Sequence, residues 1–70
     1  MNLYFEHSDG GLTLVRSNCP RDSVLSEIKS YVKLLNPNYK IYYVRSWGDD
    51  TQGYTYDVGS HTEFFHWRVR

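Results

Sequence analysis

The sequence has a single cysteine, no long apolar run and no excess of charge of either sign. Because Cys19 has no mate, no intrachain disulfide can form, and a small chain without such a crosslink favours a reducing, cytoplasmic location. No apolar stretch approaches the roughly 18 residues of a membrane span. Residues 1–7 also lack the basic start and apolar core of a signal peptide. The sequence therefore predicts a cytoplasmic protein that makes no membrane contact.

Charge is balanced along the whole chain. Eight Lys and Arg match eight Asp and Glu over 70 residues, and residues 1–36 and 37–70 each carry four of both signs. A chain of this length is one domain, 1–70, and buries only about 60% of the surface that the unfolded chain exposes. Heavy core side chains or dimerisation are the expected sources of additional stability, and the seven Tyr, three Phe and two Trp are such side chains.

Short alternating segments predict five strands. Residues 2–17 predict a β-hairpin around the turn Ser8-Asp-Gly-Gly11, since these residues accept positive φ. Residues 40–47 are rich in β-branched and aromatic side chains and predict a third strand. Residues 54–58 and 62–69 predict two more, joined at a Gly59-Ser60-His61 break. In the last strand, alternation places Phe65, Trp67 and Val69 on one face and Phe64, His66, Arg68 and Arg70 on the other.

Between the hairpin and the third strand the period changes to that of a helix. Asn18 to Ser23 carry helix-start signals, and Asn36-Pro37 ends the pattern because proline excludes the helical conformation of the residue before it. The apolar stripe predicted to pack on the sheet is Val24, Leu25, Ile28, Tyr31, Val32 and Leu35. The fold class is therefore predicted as α+β, an antiparallel sheet of four to five strands in the order ββαβββ, with one helix on one face.

One cluster of side chains and one single residue suggest chemistry, and each has a simpler interpretation. His61, Glu63 and His66 are potential zinc ligands, but in a strand His66 points away from the other two, so we expect neither a metal nor another cofactor. Cys19 lies at the predicted helix start, where a thiol can become reactive. The alternative, a small buried residue at the helix entrance, is favoured because no base is placed beside it. We therefore expect no catalytic residues and no enzyme activity.

The strand aromatics predict a binding surface. One helix covers only one face of the sheet, so several rings must remain accessible, and exposed apolar patches commonly bind partners. We expect a non-enzymatic protein that acts by protein contact, either as a homodimer or with a separate partner. The alternative is a nucleic-acid-binding module that uses strand aromatics and arginines, which the neutral charge disfavours. The residues expected at the contact are Tyr42, Tyr56, Phe64, His66, Arg45 and Arg68.

The segment Lys40-Ile-Tyr-Tyr-Val-Arg-Ser-Trp47, followed by Tyr56-Asp-Val-Gly-Ser-His-Thr-Glu-Phe-Phe65, resembles the C-terminal part of small uncharacterised proteins of bacteriophages and prophages, mostly from Gram-positive hosts. The resemblance covers the last third to half of the chain and rests on the Gly-Ser-His-Thr-Glu-Phe-Phe string. It brings no catalytic residues with it. It implies a protein made in the host cytoplasm that binds a host or phage protein and changes its activity.

Overall fold

The computed structural model describes residues 1–59 and 63–69. Strand β1 spans Asn2–Glu6 and β2 spans Leu12–Arg16, and the two pair antiparallel. Between them Gly10 adopts a φ of 90°, and the His7 backbone N–H donates to the Gly11 carbonyl at 2.8 Å. The predicted hairpin is confirmed.

The predicted helix is also confirmed, although less of it is buried than expected. A 3₁₀ turn at Arg21–Ser23 leads into α1, Val24–Leu35. Its buried side chains are Val24, Ile28 and Val32, spaced four residues apart on one line. Leu25 and Leu35, predicted in the core, are exposed, because Leu25 is turned about 100° from Val24 and Leu35 is the last helical residue. No helix in the described ranges is long and apolar enough to cross a membrane.

Three further strands complete one antiparallel sheet. Strand β3 spans Tyr43–Asp49, β4 spans Gly53–Gly59 and β5 spans Glu63–Arg68. The order across the sheet is β2-β1-β5-β4-β3, so the predicted α+β class and the ββαβββ order are confirmed.

The strand boundaries differ from the prediction at β3 and β4. Strand β3 begins at Tyr43 rather than at residue 40, and it continues through Gly48 and Asp49, which were predicted to lie in a loop. These two residues pair with Tyr54 and Gly53. The connection to β4 is therefore a turn at 50–52, shorter than the loop expected at 48–53. Ser60 and His61 of the predicted break, and Thr62 at the predicted start of the last strand, lie outside the described residues.

The core lies between α1 and the centre of the sheet. Its strand side chains come from β1, β4 and β5, and Phe65 is completely buried between the Phe5 and Tyr31 rings, at centroid distances of 5.2 and 6.0 Å. The buried hydrophobic side chains from the strands are Leu3, Phe5, Tyr56, Val58, Phe65 and Trp67. Strand β3 supplies none of them, and all its residues after Tyr43 are exposed. The sheet thus leaves one face and one edge strand uncovered.

The open face and the β3 edge as the candidate functional site

The strand pairing defines which side chains lie on the face that α1 does not cover. Leu3, Phe5 and Phe65 face the helix, so their neighbours along each strand point to the other side. Directly paired residues of neighbouring strands point to the same side of a sheet. Tyr4 and Thr55 both pair with His66, so all three lie on that side. We call this side the open face. Its described members are Asn2, Tyr4, Glu6, Leu12, Leu14, Tyr43, Arg45, Trp47, Asp49, Thr55, Asp57, Phe64, His66 and Arg68.

A hydrogen-bonded chain crosses the centre of the open face. His66 Nε2 lies 2.5 Å from the Glu6 carboxylate, and His66 Nδ1 lies 3.2 Å from the Thr55 hydroxyl. The neutral Nε2–H tautomer satisfies both contacts, because Nε2–H then donates to Glu6 and Nδ1 accepts from the hydroxyl. The chain links β1, β5 and β4 through side chains in addition to their backbone ladders.

A hydroxyl, an imidazole and a carboxylate in series are also the elements of a nucleophilic triad. Catalysis would further require donors aimed at a developing oxyanion. Thr55 and His66 lie on strands that are paired on both sides, so their backbone N–H groups are used within the sheet. This arrangement favours a structural role for the chain of hydrogen bonds.

Arg45 is held in place on the open face by two neighbours. Its Nη2 donates to Asp57 Oδ2 at 2.6 Å, and its guanidinium lies 5.2 Å from the centre of the Tyr43 ring. Asp57 is only 3% exposed, and its Oδ1 has no hydrogen-bond partner among the described residues. The Arg45 side chain remains 68% exposed. An ordered but accessible guanidinium loses little entropy when a partner binds it.

A second arginine on the open face also stacks on a tyrosine. The Arg68 guanidinium lies 5.4 Å from the centre of the Tyr4 ring, which is within cation–π range. Together with Arg45 over Tyr43 it gives the face two ordered pairs of the residue types that are enriched at the energetic centres of protein interfaces.

Four of the six predicted contact residues lie on the open face: Arg45, Phe64, His66 and Arg68. Tyr42 precedes β3 and is 72% exposed, and its backbone N–H donates to Gly59.

The expectation that Tyr56 is accessible was wrong. It is 7% exposed and lies on the helix side, because it pairs with Phe65 and not with Phe64. Burial accordingly raises the pKa of the Tyr56 hydroxyl.

The prediction omitted Trp47 from the contact set, although its ring is the most exposed aromatic of the open face that lies within a strand, at 52%. Trp47 is two residues from Arg45 and shares its face. Alternation along β3 was therefore a signal that could have found it.

Strand β3 is also an edge strand of the described sheet, with a neighbouring strand on one side only. It pairs with β4 over seven residues without a register shift, and it is the last strand on its side of the sheet. The opposite edge strand, β2, is shorter and its pairing with β1 contains a register shift. Bulges, lysines and prolines are the usual protections of an edge against pairing with another strand. Residues 43–49 contain neither lysine nor proline, so β3 is the more accessible edge.

Cys19 is a buried structural residue. Its backbone N–H donates to the Met1 carbonyl at 2.7 Å, and its carbonyl accepts from the Trp67 indole N–H at 2.8 Å. Burial raises the pKa of its thiol. These contacts support the interpretation of Cys19 as a small buried residue at the helix entrance rather than as a reactive thiol.

We expect Cys19 to react with a thiol reagent such as dithionitrobenzoate far more slowly in the native protein than in urea, because the thiolate is both rare and shielded. Absorbance of the released thionitrobenzoate measures the rate. The urea-unfolded chain is the control, since burial is lost there while the reagent is the same. Equal rates in the two conditions would contradict the burial of Cys19.

The zinc site considered in the sequence analysis, with His61, Glu63 and His66 as ligands, lies partly outside the described residues, because His61 is not among them. Glu63 and His66 are described. They are three residues apart in β5, so they lie on opposite faces of the strand. In residues 1–59 and 63–69 no group of three or more His, Cys, Asp or Glu is placed to hold a metal ion.

No family model, no curated protein and no solved structure matches this chain.

Proposed function

We propose that this chain is a small non-enzymatic binding domain of bacteriophage type that contacts a partner protein through β3 and the adjoining open face. The observation that carries the proposal is the exposure of β3, a seven-residue edge strand whose residues after Tyr43 are all exposed and include Arg45 and Trp47. A strand of the partner adds to this edge through main-chain hydrogen bonds, and its side chains meet Trp47 and Arg45. In a host cell such binding would modulate the partner's activity.

A second copy of the chain is one partner that fits this edge. If two β3 strands pair antiparallel about Ser46, residues whose numbers sum to 92 face one another. Arg45 of one copy then lies across from Trp47 of the other, and Tyr43 lies across from Asp49. Cation–π and polar cross-strand pairs of this kind stabilise a sheet. The edge is therefore self-complementary, which supports the homodimer as one form of the interaction.

The open face supports nucleic-acid binding less well. Arg45 is paired with Asp57, and His66 contacts Glu6, so carboxylates accompany the basic groups that would meet phosphates. None of the three lysines lies on a strand of this sheet. Affinity for nucleic acid depends on unpaired clustered cations, and the exposed aromatics alone do not provide it.

The variant Trp47→Lys tests the proposal, because it removes the exposed ring and adds a charge of the kind that protects sheet edges. We expect it to weaken association by about thirtyfold, as for the loss of a hot-spot aromatic worth roughly 2 kcal/mol. Sedimentation equilibrium measures self-association. Quantitative mass spectrometry of proteins captured from a Gram-positive lysate measures binding to other partners.

Leu25→Lys is the matched control, since Leu25 is an exposed apolar residue on the helix, away from β3. It should leave association unchanged, and both variants should melt within a few degrees of the wild type. The proposal is overturned if the protein stays monomeric and every captured protein is retained equally by Trp47→Lys. Oligonucleotide binding that is lost in Trp47→Lys and fades steeply with salt would instead support the nucleic-acid alternative.

A further inference from the structure

A second candidate surface lies on the helix side of the molecule, away from the open face. Residues 29–33 of α1 and the segment 39–41 border a cleft of about 320 Å³. All three lysines of the chain line this cleft. The lining residues are Lys29, Val32, Lys33, Tyr39, Lys40 and Ile41.

The three lysines differ electrostatically from three of the arginines. Arg16, Arg21 and Arg45 each form an ion pair with a carboxylate. Within the described part of the chain, none of the three lysine ammonium groups lies within ion-pairing distance of a carboxylate. A protein with zero formal net charge therefore brings three lysines, none of them paired with a carboxylate among the described residues, to one cleft.

This concentration is unfavourable for the isolated chain. Lys29 and Lys33 are one helical turn apart, a spacing at which like charges destabilise a helix. The helix dipole favours a cation in the last turn and so accounts for Lys33. It does not account for Lys40, which lies outside the helix and brings a third charge to the same cleft. An anion bound between these residues would relieve the repulsion.

The floor of the cleft is apolar. Val32 is buried, and Tyr39 and Ile41 are half-buried against the core. A small concave apolar site with a cationic rim matches a polypeptide segment that places a large apolar side chain next to carboxylates. Nucleic acid would meet the cations, but two of the three floor side chains, Val32 and Ile41, are aliphatic and offer its bases no ring to stack on. A membrane surface would require a broad rather than a concave apolar patch.

We propose that this cleft binds a short acidic segment of a partner protein, with an aliphatic or aromatic side chain of that segment seated between Val32 and Ile41. The carboxylates of the segment pair with Lys29, Lys33 and Lys40. This site is independent of the β3 edge, because the two lie on different elements and use different residues. A chain with both sites can hold two partners at the same time.

The test uses a fluorescein-labelled octapeptide that alternates glutamate with leucine, and fluorescence anisotropy measures its binding. Lys33→Gln and Lys40→Gln should each weaken binding by about fivefold, the effect of losing one partly exposed ion pair. The double variant should weaken it by about 25-fold if the two contacts are independent. Binding should also fall as salt is raised, because exposed charges are screened.

Gln52→Glu is the matched control. It changes the net charge by the same amount as Lys→Gln, and the two side chains are isosteric. Residue 52 lies in the turn after β3, whereas the cleft segment precedes that strand. It should change probe affinity by less than about twofold, since a charge separated by the length of the strand, roughly 23 Å, is screened. Trp47→Ser should also leave probe binding unchanged, which separates this proposal from that of the β3 edge.

The cleft proposal is overturned if the Lys→Gln variants bind the probe as well as the wild type does. It is equally overturned if Gln52→Glu weakens binding as much as they do, because the interaction would then follow net charge alone. A probe with glutamine in place of glutamate should not bind, and undiminished binding of that probe would show that the lysines are not used. Preferential lysine-dependent binding of a single-stranded oligonucleotide would assign the cleft to nucleic acid instead.

Discussion

Phe65→Ala is expected to lower the free energy of unfolding by about 3–5 kcal/mol, the usual cost of deleting a fully buried aromatic ring. Phe65 is completely buried and its ring contacts Phe5 and Tyr31, so its removal leaves a cavity between the sheet and α1. A small domain has a total stability of only about 5–15 kcal/mol. Urea denaturation followed by circular dichroism measures the change, and the variant should begin to unfold at low denaturant.

Phe64→Ala is the natural control, because it deletes the same side chain one residue away on the open face. Phe64 is only half-buried, and we expect a loss near 1 kcal/mol, typical of substitutions outside the core. Equal losses, or a larger loss at Phe64, would mean that β5 is turned over with respect to α1.

Gly53→Ala is expected to cost about 2–6 kcal/mol, from backbone strain of roughly 1–3 kcal/mol and steric overlap of a similar size. Gly53 has a φ of 108°, and a Cβ there would overlap the Trp67 carbonyl oxygen and crowd the Arg68 Cα. Both are backbone atoms of β5, so they can move only if the pairing of β4 with β5 is disturbed. Thermal unfolding measures the effect, and a large fall in melting temperature is expected.

Gly10→Ala separates strain from overlap. Gly10 also has positive φ, at 90°, but a Cβ at this position would have no atom within 4 Å. Gly10→Ala should lower the free energy of unfolding only by the strain of an alanine at positive φ, about 1–2 kcal/mol. If the two alanine variants melt at the same temperature, the close approach of β5 to Gly53 is not present in solution.

The sequence was sufficient to predict the elements of the fold, because its hydrophobic patterns are short-range. The hairpin, the helix and three later strands all follow from alternation, turn residues and the proline after the helix. The order of strands in the sheet could not be derived in the same way. The pairing of β1 with β5 joins Asn2 to Arg68, and no local pattern encodes a contact across that distance in the chain.

The candidate site was only partly predictable, and Tyr56 shows why. Alternation indicates which residues within a strand share a face, but it does not relate the faces of two strands. That relation depends on register, and the register that pairs Tyr56 with Phe65 places both in the core. The lysine cleft was not predictable either. Lys29 and Lys33 are neighbours on the helix, but the position of Lys40 depends on the path of the chain after Pro37.

The central pairing of β1 with β5 has a consequence for synthesis. Strand β1 emerges from the ribosome early but lacks one of its two neighbours until residues 63–68 have been made. Until then its apolar side chains, Leu3 and Phe5, have no β5 to cover them, and the helix has only part of its sheet. The closing step joins the most distant strands of the chain, and such long loops close slowly. Folding of this domain is therefore expected to finish only after β5 has been made, with the nascent hairpin exposed to chaperones until then.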